Sequence, residues 1–416
     1  MQKATQVAPL LALLAHLAVT PPVRAQAPAP GRPLTVAEAV RLATTVAPAA
    51  QRVAGRRAEL VGRARTDAQW ANPSVELRRE NEGAPIPYDD FATVTVPVGV
   101  TGRRVALRSA LSATRERATA DSLDGLRAAG FDAARAWWSY WAAREVALVA
   151  EAQGALYDRV ARLDSLRAAE GEIAEATALR VRIEAQRVVH AAAQAQAAAA
   201  YARAELAALV GEPDPAVIDA ADGIPGLDAL PAVDSALAVA LRDRADLRAA
   251  RAAALAAERR RLAERLGTLP DVNITGGYKG TAGFSSTLLG VVVTPPLLNA
   301  NGGNRERAFG DWLVADADRR AAELRVATEV RAAVEAARVI DAGTLGFDDA
   351  FVARADVVAA AAEAAYREGA ASLVELLDAF RTAADARTAR ARGVADRALA
   401  RLALRRAMGA SAVESP

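Results

Sequence analysis

The chain repeats its landmarks at a nearly constant separation, and this duplication limits the folds it can adopt more than any other feature. Matching residues lie about 200 positions apart along almost the whole chain. The pattern predicts two tandem copies of one structural unit rather than a set of unrelated domains. The matched pairs are Ala39 with Ala236, Pro73 with Pro270, Gly171 with Gly369, and Gly211 with Gly409.

The first residues read as an export signal. Lys3 precedes an apolar stretch without acidic residues, and Val23-Arg24-Ala25 forms a small-residue cleavage site. We therefore predict cleavage after Ala25 and an exported protein. The predicted segments are a signal peptide at 1–25, an N-terminal linker at 26–33, a first repeat at 34–213, a linker at 214–229, a second repeat at 230–410 and a C-terminal tail at 411–416.

Each predicted repeat contains a helical stretch, two short β-like runs and a long region without proline that is rich in Ala, Leu, Arg and Glu. Globular helices average about 11–12 residues, so these regions indicate helices of unusual length. In the first repeat we predict a helix at 103–169 beside shorter ones at 34–71 and 174–211. The second repeat has its long helix at 305–367 and a shorter one at 230–268. Long helices lying beside two stacked short ones build an elongated cylinder.

The β-like runs lie at 74–80, 92–100, 271–279 and 284–294, and alternating apolar residues are visible in two of them. Their lengths are close to that of a tilted transmembrane strand. Four strands cannot close on themselves, and lipid does not tolerate open sheet edges. Two chains would give eight strands with a filled interior, whereas three would give twelve strands and an open channel. The runs therefore predict a trimer if they lie in a membrane.

Composition excludes several classes of function. The chain has 52 Lys and Arg against 50 Asp and Glu, so no basic surface for nucleic acid is predicted. It has no Cys, which excludes disulfides, thiolate metal sites and a lipidated N-terminal Cys. Its two His, His16 and His190, cannot form a metal cluster. We accordingly predict no catalytic residues, no metal and no cofactor.

Several segments, distributed over nearly the whole chain after the signal, resemble one family. They are "LTVAEAVRLA", "ANPSVEL", "VPVGVTGRR", "AWWSYWAARE" and "YREGAASLVELLDAFRTA". These segments resemble the TolC-like outer-membrane efflux channels, and most closely the branch that serves cation and heavy-metal efflux. The resemblance implies a mainly α-helical chain with a small transmembrane β part. In a homotrimer it would form a twelve-stranded β-barrel, with four strands per chain, in the cell outer membrane and an α-helical barrel across the periplasm.

The resemblance also implies partners. Such a channel is the passive exit duct of a tripartite pump and contacts a periplasmic adaptor protein and an inner-membrane transporter, besides outer membrane lipid. The two helix turns would form the tips that meet the adaptor. The tip residues are Gly171, Glu172, Ile173, Gly369, Ala370, Ala371 and Ser372. The nature of the exported solute, metal cation or drug, stays open.

A periplasmic gate is implied near the second tip. The family places acidic residues where Glu375 and Asp378 stand, so that three chains would form a negatively charged constriction. A structural alternative exists for Glu375, because Ser372-Leu373-Val374-Glu375 also has the pattern of a helix capping box. Both interpretations stay open at this point.

Two further groups of residues have structural interpretations. Pro73, Pro97, Pro270 and Pro296 flank the β-like runs and are predicted to mark the transitions between barrel and helices. The aromatic cluster "WWSYW" beginning at Trp137 lies in the middle of a predicted helix, where we expect it to serve helix packing rather than ligand binding.

Two other protein classes remain as alternatives. A periplasmic coiled-coil adaptor or scaffold also has long helical hairpins, but four strands placed between helices in a duplicated order disfavour it. A secreted enzyme is disfavoured by the lack of Cys, of a usable His and of convergent acidic pairs.

Overall fold

The computed structural model describes residues 33–81, 88–220, 229–281 and 283–413. The predicted signal peptide and its cleavage site lie outside these residues, as do nearly all of the first linker, half of the second and half of the C-terminal tail. None of the described helices is both long and apolar enough to cross a membrane. Most of the described chain is helical, with a small sheet, which confirms the predicted mainly α-helical fold with a small β part. The twelve-stranded barrel shared by three chains stays a prediction.

Nine helices form the bulk of the described residues. The longest, α3, has 67 residues and is about 100 Å long at 1.5 Å per residue. Its bounds are those predicted from the sequence. The helices are α1 Val36–Thr45, α2 Pro48–Ala68, α3 Arg103–Ala169, α4 Glu175–Val210, α5 Val233–Asp243, α6 Ala245–Leu266, α7 Gly302–Thr344, α8 Asp349–Arg367 and α9 Leu373–Met408.

Three predicted helices are interrupted, and the single-helix predictions for 34–71, 230–268 and 305–367 were wrong. The first stretch breaks between α1 and α2, because Pro48 forces Ala47 into an extended conformation. The second breaks at the extended residue Arg244, between α5 and α6. The third breaks after α7, where Asp348 starts α8 by accepting a hydrogen bond from the Phe351 N–H at 2.7 Å.

The strands form two separate sheets. The larger sheet has the order β2-β3-β5-β6 and is antiparallel throughout, while β1 and β4 form a short parallel pair that the sequence did not indicate. The predicted run at 92–100 begins and ends earlier than expected, and the one at 271–279 extends further. The strands are β1 Pro33–Leu34, β2 Ser74–Glu80, β3 Asp89–Val98, β4 Asp219–Ala220, β5 Asp271–Thr281 and β6 Phe284–Thr294.

The order of elements occurs twice. Two helices, a β-hairpin and a long helical region come first in each half, and a last helix runs back along that region. In the second half, α7 and α8 together take the place of α3. The two hairpins pair with each other through β3 and β5, so the two halves share one four-stranded sheet.

The predicted packing role of the aromatic cluster agrees with its burial. Trp137, Trp138, Tyr140 and Trp141 are all buried in α3, in one apolar cluster with Leu206 of α4 and Val394 of α9. The indole N–H of Trp137 donates a hydrogen bond to the backbone oxygen of Leu34 at 2.7 Å. This contact fixes β1 against the middle of the helical part.

Candidate functional site

The four-stranded sheet has one apolar and one mostly polar face. Side chains alternate between the faces along each strand, and residues paired across strands share a face. Val75 pairs with Val94, Val94 with Gly276, and Gly276 with Leu289. The same face carries Leu77, Ala92, Val96, Val98, Val272, Ile274, Tyr278, Val291 and Val293. Most of these side chains are exposed in the single chain, as are the large apolar residues Val75 and Leu289.

The opposite face carries hydroxyl groups and charges. Thr95 and Thr275 are paired there, with their hydroxyl oxygens 2.9 Å apart. Near the end far from the helices, Lys279 Nζ lies 2.5 Å from an oxygen of the buried Asp89. An apolar outer face and a polar inner face, alternating residue by residue, are the pattern of a transmembrane β-barrel wall.

The four prolines predicted to mark the transitions lie at the ends of the strands nearest the helices. Pro73 and Pro270 directly precede β2 and β5, and Pro296 follows β6 after one residue. Pro97 lies inside β3, one residue before its end, opposite Asn273 of β5.

The two predicted tips are two helix turns of the same kind. After α3, the N–H of Gly171 donates to the oxygen of Ala168 and the N–H of Glu172 to that of Arg167. After α8, Gly369 and Ala370 donate to Tyr366 and Ala365 in the same pattern. Both glycines have positive φ, 81° and 74°, as this helix-ending motif requires.

The tips lie side by side. The Arg167 guanidinium donates to the backbone oxygen of Arg367 at 3.1 Å, which joins the end of α3 to the end of α8. Ile173 and Ala371 are partly buried, and the other predicted tip residues are exposed. The structure therefore brings the two predicted tip segments to one end of the helical part.

A buried polar contact just above the tips was missed from the sequence. The hydroxyl of Tyr366 donates to both carboxylate oxygens of Asp164, at 2.8 and 2.7 Å, and the Asp164 side chain has no exposed surface. Burial and the hydrogen bond to Asp164 raise the pKa of Tyr366 to about 12. The two residues are far apart in sequence, so no local spacing could have indicated the contact.

The two predicted gate residues lie on the first two turns of α9. Glu375 forms the capping box: its Oε2 accepts from the Ser372 N–H at 2.7 Å, and its own N–H donates to Ser372 Oγ at 3.3 Å. The hydrogen bonds from Ser372 lower the pKa of Glu375. Asp378 follows three residues later and is exposed. Both carboxylates thus lie on the surface near the tips. The contacts of Glu375 are those of the helix capping box expected from the sequence.

Arg244, at the break between α5 and α6, forms a second group of contacts that was not predicted from the sequence. It is 9% exposed and binds Asp246 through two hydrogen bonds, at 2.9 and 2.7 Å, and Glu329 of α7 at 2.5 Å. Burial alone would lower the pKa of Arg244, but these hydrogen bonds raise it above its ordinary value. The contact ties the interrupted helix pair to the long helical region of the same repeat. Within the described ranges, no group of three or more His, Cys, Asp or Glu side chains could hold a metal ion.

Comparisons with known proteins agree with this geometry. Residues 236–410 match the outer membrane efflux protein family. The fold is similar to that of the outer membrane protein VceC from Vibrio cholerae, with 20% identity, a TM-score of 0.74 and coverage of 90% of this chain and 96% of that chain. Among curated protein sequences, no match was found.

Two other solved structures are similar at comparable levels. The CmeC outer membrane channel from Campylobacter jejuni has 14% identity and a TM-score of 0.76, with 90% of this chain and 85% of that chain covered. The open state of the MtrE outer membrane channel from Neisseria gonorrhoeae has 18% identity and a TM-score of 0.70, with 90% and 89% covered.

Proposed function

We propose that this chain, an outer-membrane efflux protein by its fold and by the sequence of its second repeat, forms the exit duct of a tripartite efflux system as a homotrimer. It lies in the outer membrane and extends into the periplasm. The observation that carries the proposal is the four-stranded amphipathic sheet, which continues directly into helices as long as α3.

The number of chains follows from the edges of this sheet. Strands β2 and β6 each have one neighbour among the described residues, so each leaves one edge unpaired. An unpaired edge in lipid leaves backbone N–H and C=O groups without partners, which costs several kcal/mol for each group. Three copies joined from β6 to β2 give a closed barrel of twelve strands, wide enough for an open lumen. The apolar face would contact lipid and the polar face would line the lumen.

The tips are proposed as the adaptor contact. They are the part of the helical region most remote from the sheet, and their backbone turns are exposed and fixed by glycines with positive φ. The proposed partners are a periplasmic adaptor protein and an inner-membrane transporter. Solute choice would belong to those partners, and we propose no catalytic role for this chain.

The gate is proposed at Glu375 and Asp378. These carboxylates lie close to the tips, and in a trimer six of them could surround a narrow periplasmic mouth. Acidic rings favour cations in other pores. The capping box fixes the position of the Glu375 side chain and keeps it ionised by lowering its pKa.

Membrane fractionation and pore formation together test the proposal. The protein should remain in the outer membrane after a salt wash, and purified trimers should form conducting pores in planar bilayers. A coiled-coil adaptor or scaffold, the alternative class, would instead form no pores. Release by salt together with a lack of conductance would contradict the duct.

A further inference from the structure

Positive charge is concentrated at the four helix ends that adjoin the membrane sheet. The whole chain is nearly balanced, with 52 Lys and Arg against 50 Asp and Glu. In contrast, the end segments 62–68, 103–109, 259–266 and 302–309 hold eleven arginines against three carboxylates. These segments are the last turns of α2 and α6 and the first turns of α3 and α7.

Most of these arginines have no acidic partner. Among ion pairs between described residues, only Arg63 and Arg103 of the eleven take part, with Glu59 and Glu264. Six of the others form what we call the arginine collar. The collar consists of Arg104, Arg108, Arg260, Arg265, Arg305 and Arg307, and all but Arg104 are exposed.

Arg104 of the collar is stacked on a tryptophan close to the start of strand β2. Its guanidinium carbon lies 3.5 Å from the centroid of the Trp70 ring, and Trp70, four residues before β2, is 53% exposed. Burial, followed by the charge of Arg108, lowers the pKa of Arg104, as expected where positive charge is not neutralised. Tryptophan is enriched at membrane–water interfaces, because its ring is apolar and its N–H is polar.

The connection between β6 and α7 adds an apolar element at the same level. It contains Leu297 and Leu298, which are 85% and 104% exposed, directly after Pro295-Pro296. Two adjacent leucines as exposed as these are costly in water. A position where acyl chains begin, with phosphate groups immediately beyond, would remove this cost and offer partners to the arginines.

We propose that the arginine collar binds the phosphate headgroups of anionic phospholipid in the periplasmic leaflet of the outer membrane, while Leu297, Leu298 and Trp70 enter the adjoining apolar layer. This inference rests on the proposed function, because it takes the sheet to span the membrane. Guanidinium groups bind phosphate oxygens through paired, charge-assisted hydrogen bonds. A lipid satisfies the charged and the apolar groups together, whereas free phosphate would satisfy only the first.

Native mass spectrometry of the trimer tests this lipid site. The trimer is titrated in detergent with phosphatidylglycerol or with phosphatidylcholine of the same acyl chains. We expect the parent protein to bind phosphatidylglycerol about tenfold more tightly, since each basic residue near a membrane surface favours anionic lipid severalfold. Replacing four of the five exposed collar residues by glutamine (Arg108→Gln, Arg265→Gln, Arg305→Gln, Arg307→Gln) should abolish that preference.

A matched control removes four exposed, unpaired arginines elsewhere on α7 and α8: Arg325→Gln, Arg331→Gln, Arg338→Gln and Arg354→Gln. This variant should keep the preference. The double variant Leu297→Ser, Leu298→Ser should weaken the binding of both lipids severalfold and leave the preference for phosphatidylglycerol unchanged. If the glutamine collar variant does not fold, the leucine pair still tests the apolar half.

Three results would overturn the inference: equal binding of the two lipids by the parent protein, equal loss of the preference in the control, or full displacement of lipid by inorganic phosphate alone. Conductance of the same trimers separates this failure from that of the proposed function. Conducting trimers without lipid preference contradict the collar and leave the duct intact. A monomeric, non-conducting parent protein contradicts the duct, and with it the membrane position that the collar requires.

Discussion

The hydroxyl of Tyr366 donates to both carboxylate oxygens of Asp164, and this contact joins α3 of the first repeat to α8 of the second just above the tips. The Asp164 side chain is completely buried, so Tyr366 is a partner that it cannot exchange for water. Tyr157 adds a second link there by donating to the backbone oxygen of Leu377 at 3.3 Å. The two tips are therefore held together by polar contacts as well as by apolar packing.

Tyr366→Phe should loosen this end of the helical part. The substitution removes the donor and leaves the carboxylate of Asp164 buried, at a cost of about 1–3 kcal/mol. Hydrogen exchange should show faster exchange in the last turns of α3 and α8, with little change near the sheet. Tyr201→Phe is the matched control, because Tyr201 is 79% exposed. Equal exchange in the two variants would mean that the contact does not hold the tips.

The same contact predicts a dependence on alkaline pH. The pKa of Tyr366 is raised to about 12, above the ordinary value of 10.0, so folding favours the protonated hydroxyl. Its contribution to stability is complete below pH 10 and is lost as the pH rises toward 12. A spectroscopic titration of tyrosine should show one group that ionises near pH 12 and is missing from Tyr366→Phe. A difference spectrum that titrates near pH 10 would contradict this.

Gly369→Val should impair efflux without preventing assembly. Gly369 has a φ of 74°, and a β-branched residue there is strained by at least about 1–2 kcal/mol, which distorts the exposed turn proposed to meet the adaptor. We expect lower efflux in cells at unchanged trimer yield. Gly310→Ala, within α7 and without a positive φ, serves as the control. Normal efflux by the Gly369 variant would remove the tips from the proposed contact.

Conductance measurements distinguish the proposed gate from a purely structural role of Glu375 in the capping box. If six carboxylates line the periplasmic mouth, the double variant Glu375→Gln, Asp378→Asn should lose cation preference and block by multivalent cations. The capping role alone predicts a loss of about 0.5–2 kcal/mol in local helix stability and unchanged selectivity. Glu335→Gln with Asp396→Asn removes two exposed carboxylates elsewhere as a control. Selectivity equal to that of the parent channel would place the constriction elsewhere.

The elements predicted best were those with strong local signals. The bounds of α3 could be read because Gly102 and Gly171 flank a long stretch without proline. The break after α7 was missed, although Gly343, Gly346 and the N-cap residue Asp348 form a local signal for it. Pro48 likewise carries a usable signal for the break before α2, because proline disfavours a helical conformation in the residue before it.

The site could be predicted only in outline. The tip glycines and the capping box depend on neighbouring residues, so their patterns are visible in the sequence. The Asp164–Tyr366 contact and the Arg244 cluster join residues from different elements, and no spacing rule locates such partners. Val75 and Leu77 of β2 can be assigned to the apolar face of the sheet only from the register in which β2 pairs with β3.

The central claim is that β6 of one chain pairs with β2 of the next, and disulfide crosslinking tests it most directly because the chain has no Cys. One cysteine is placed at Glu76 of β2 and the second in turn at Ser286, Leu288 or Gly290 of β6, all on the polar face. A disulfide forms only where two Cα atoms approach to about 4.4–6.8 Å.

As a control, Thr275→Cys with Gly290→Cys lies across the β5–β6 pair within one chain and should give monomers only. In outer membranes, oxidation of at least one interchain pair should give covalent dimers and trimers, and no larger species, on denaturing gels. Monomers from every pair, with the control disulfide formed, would contradict the shared barrel.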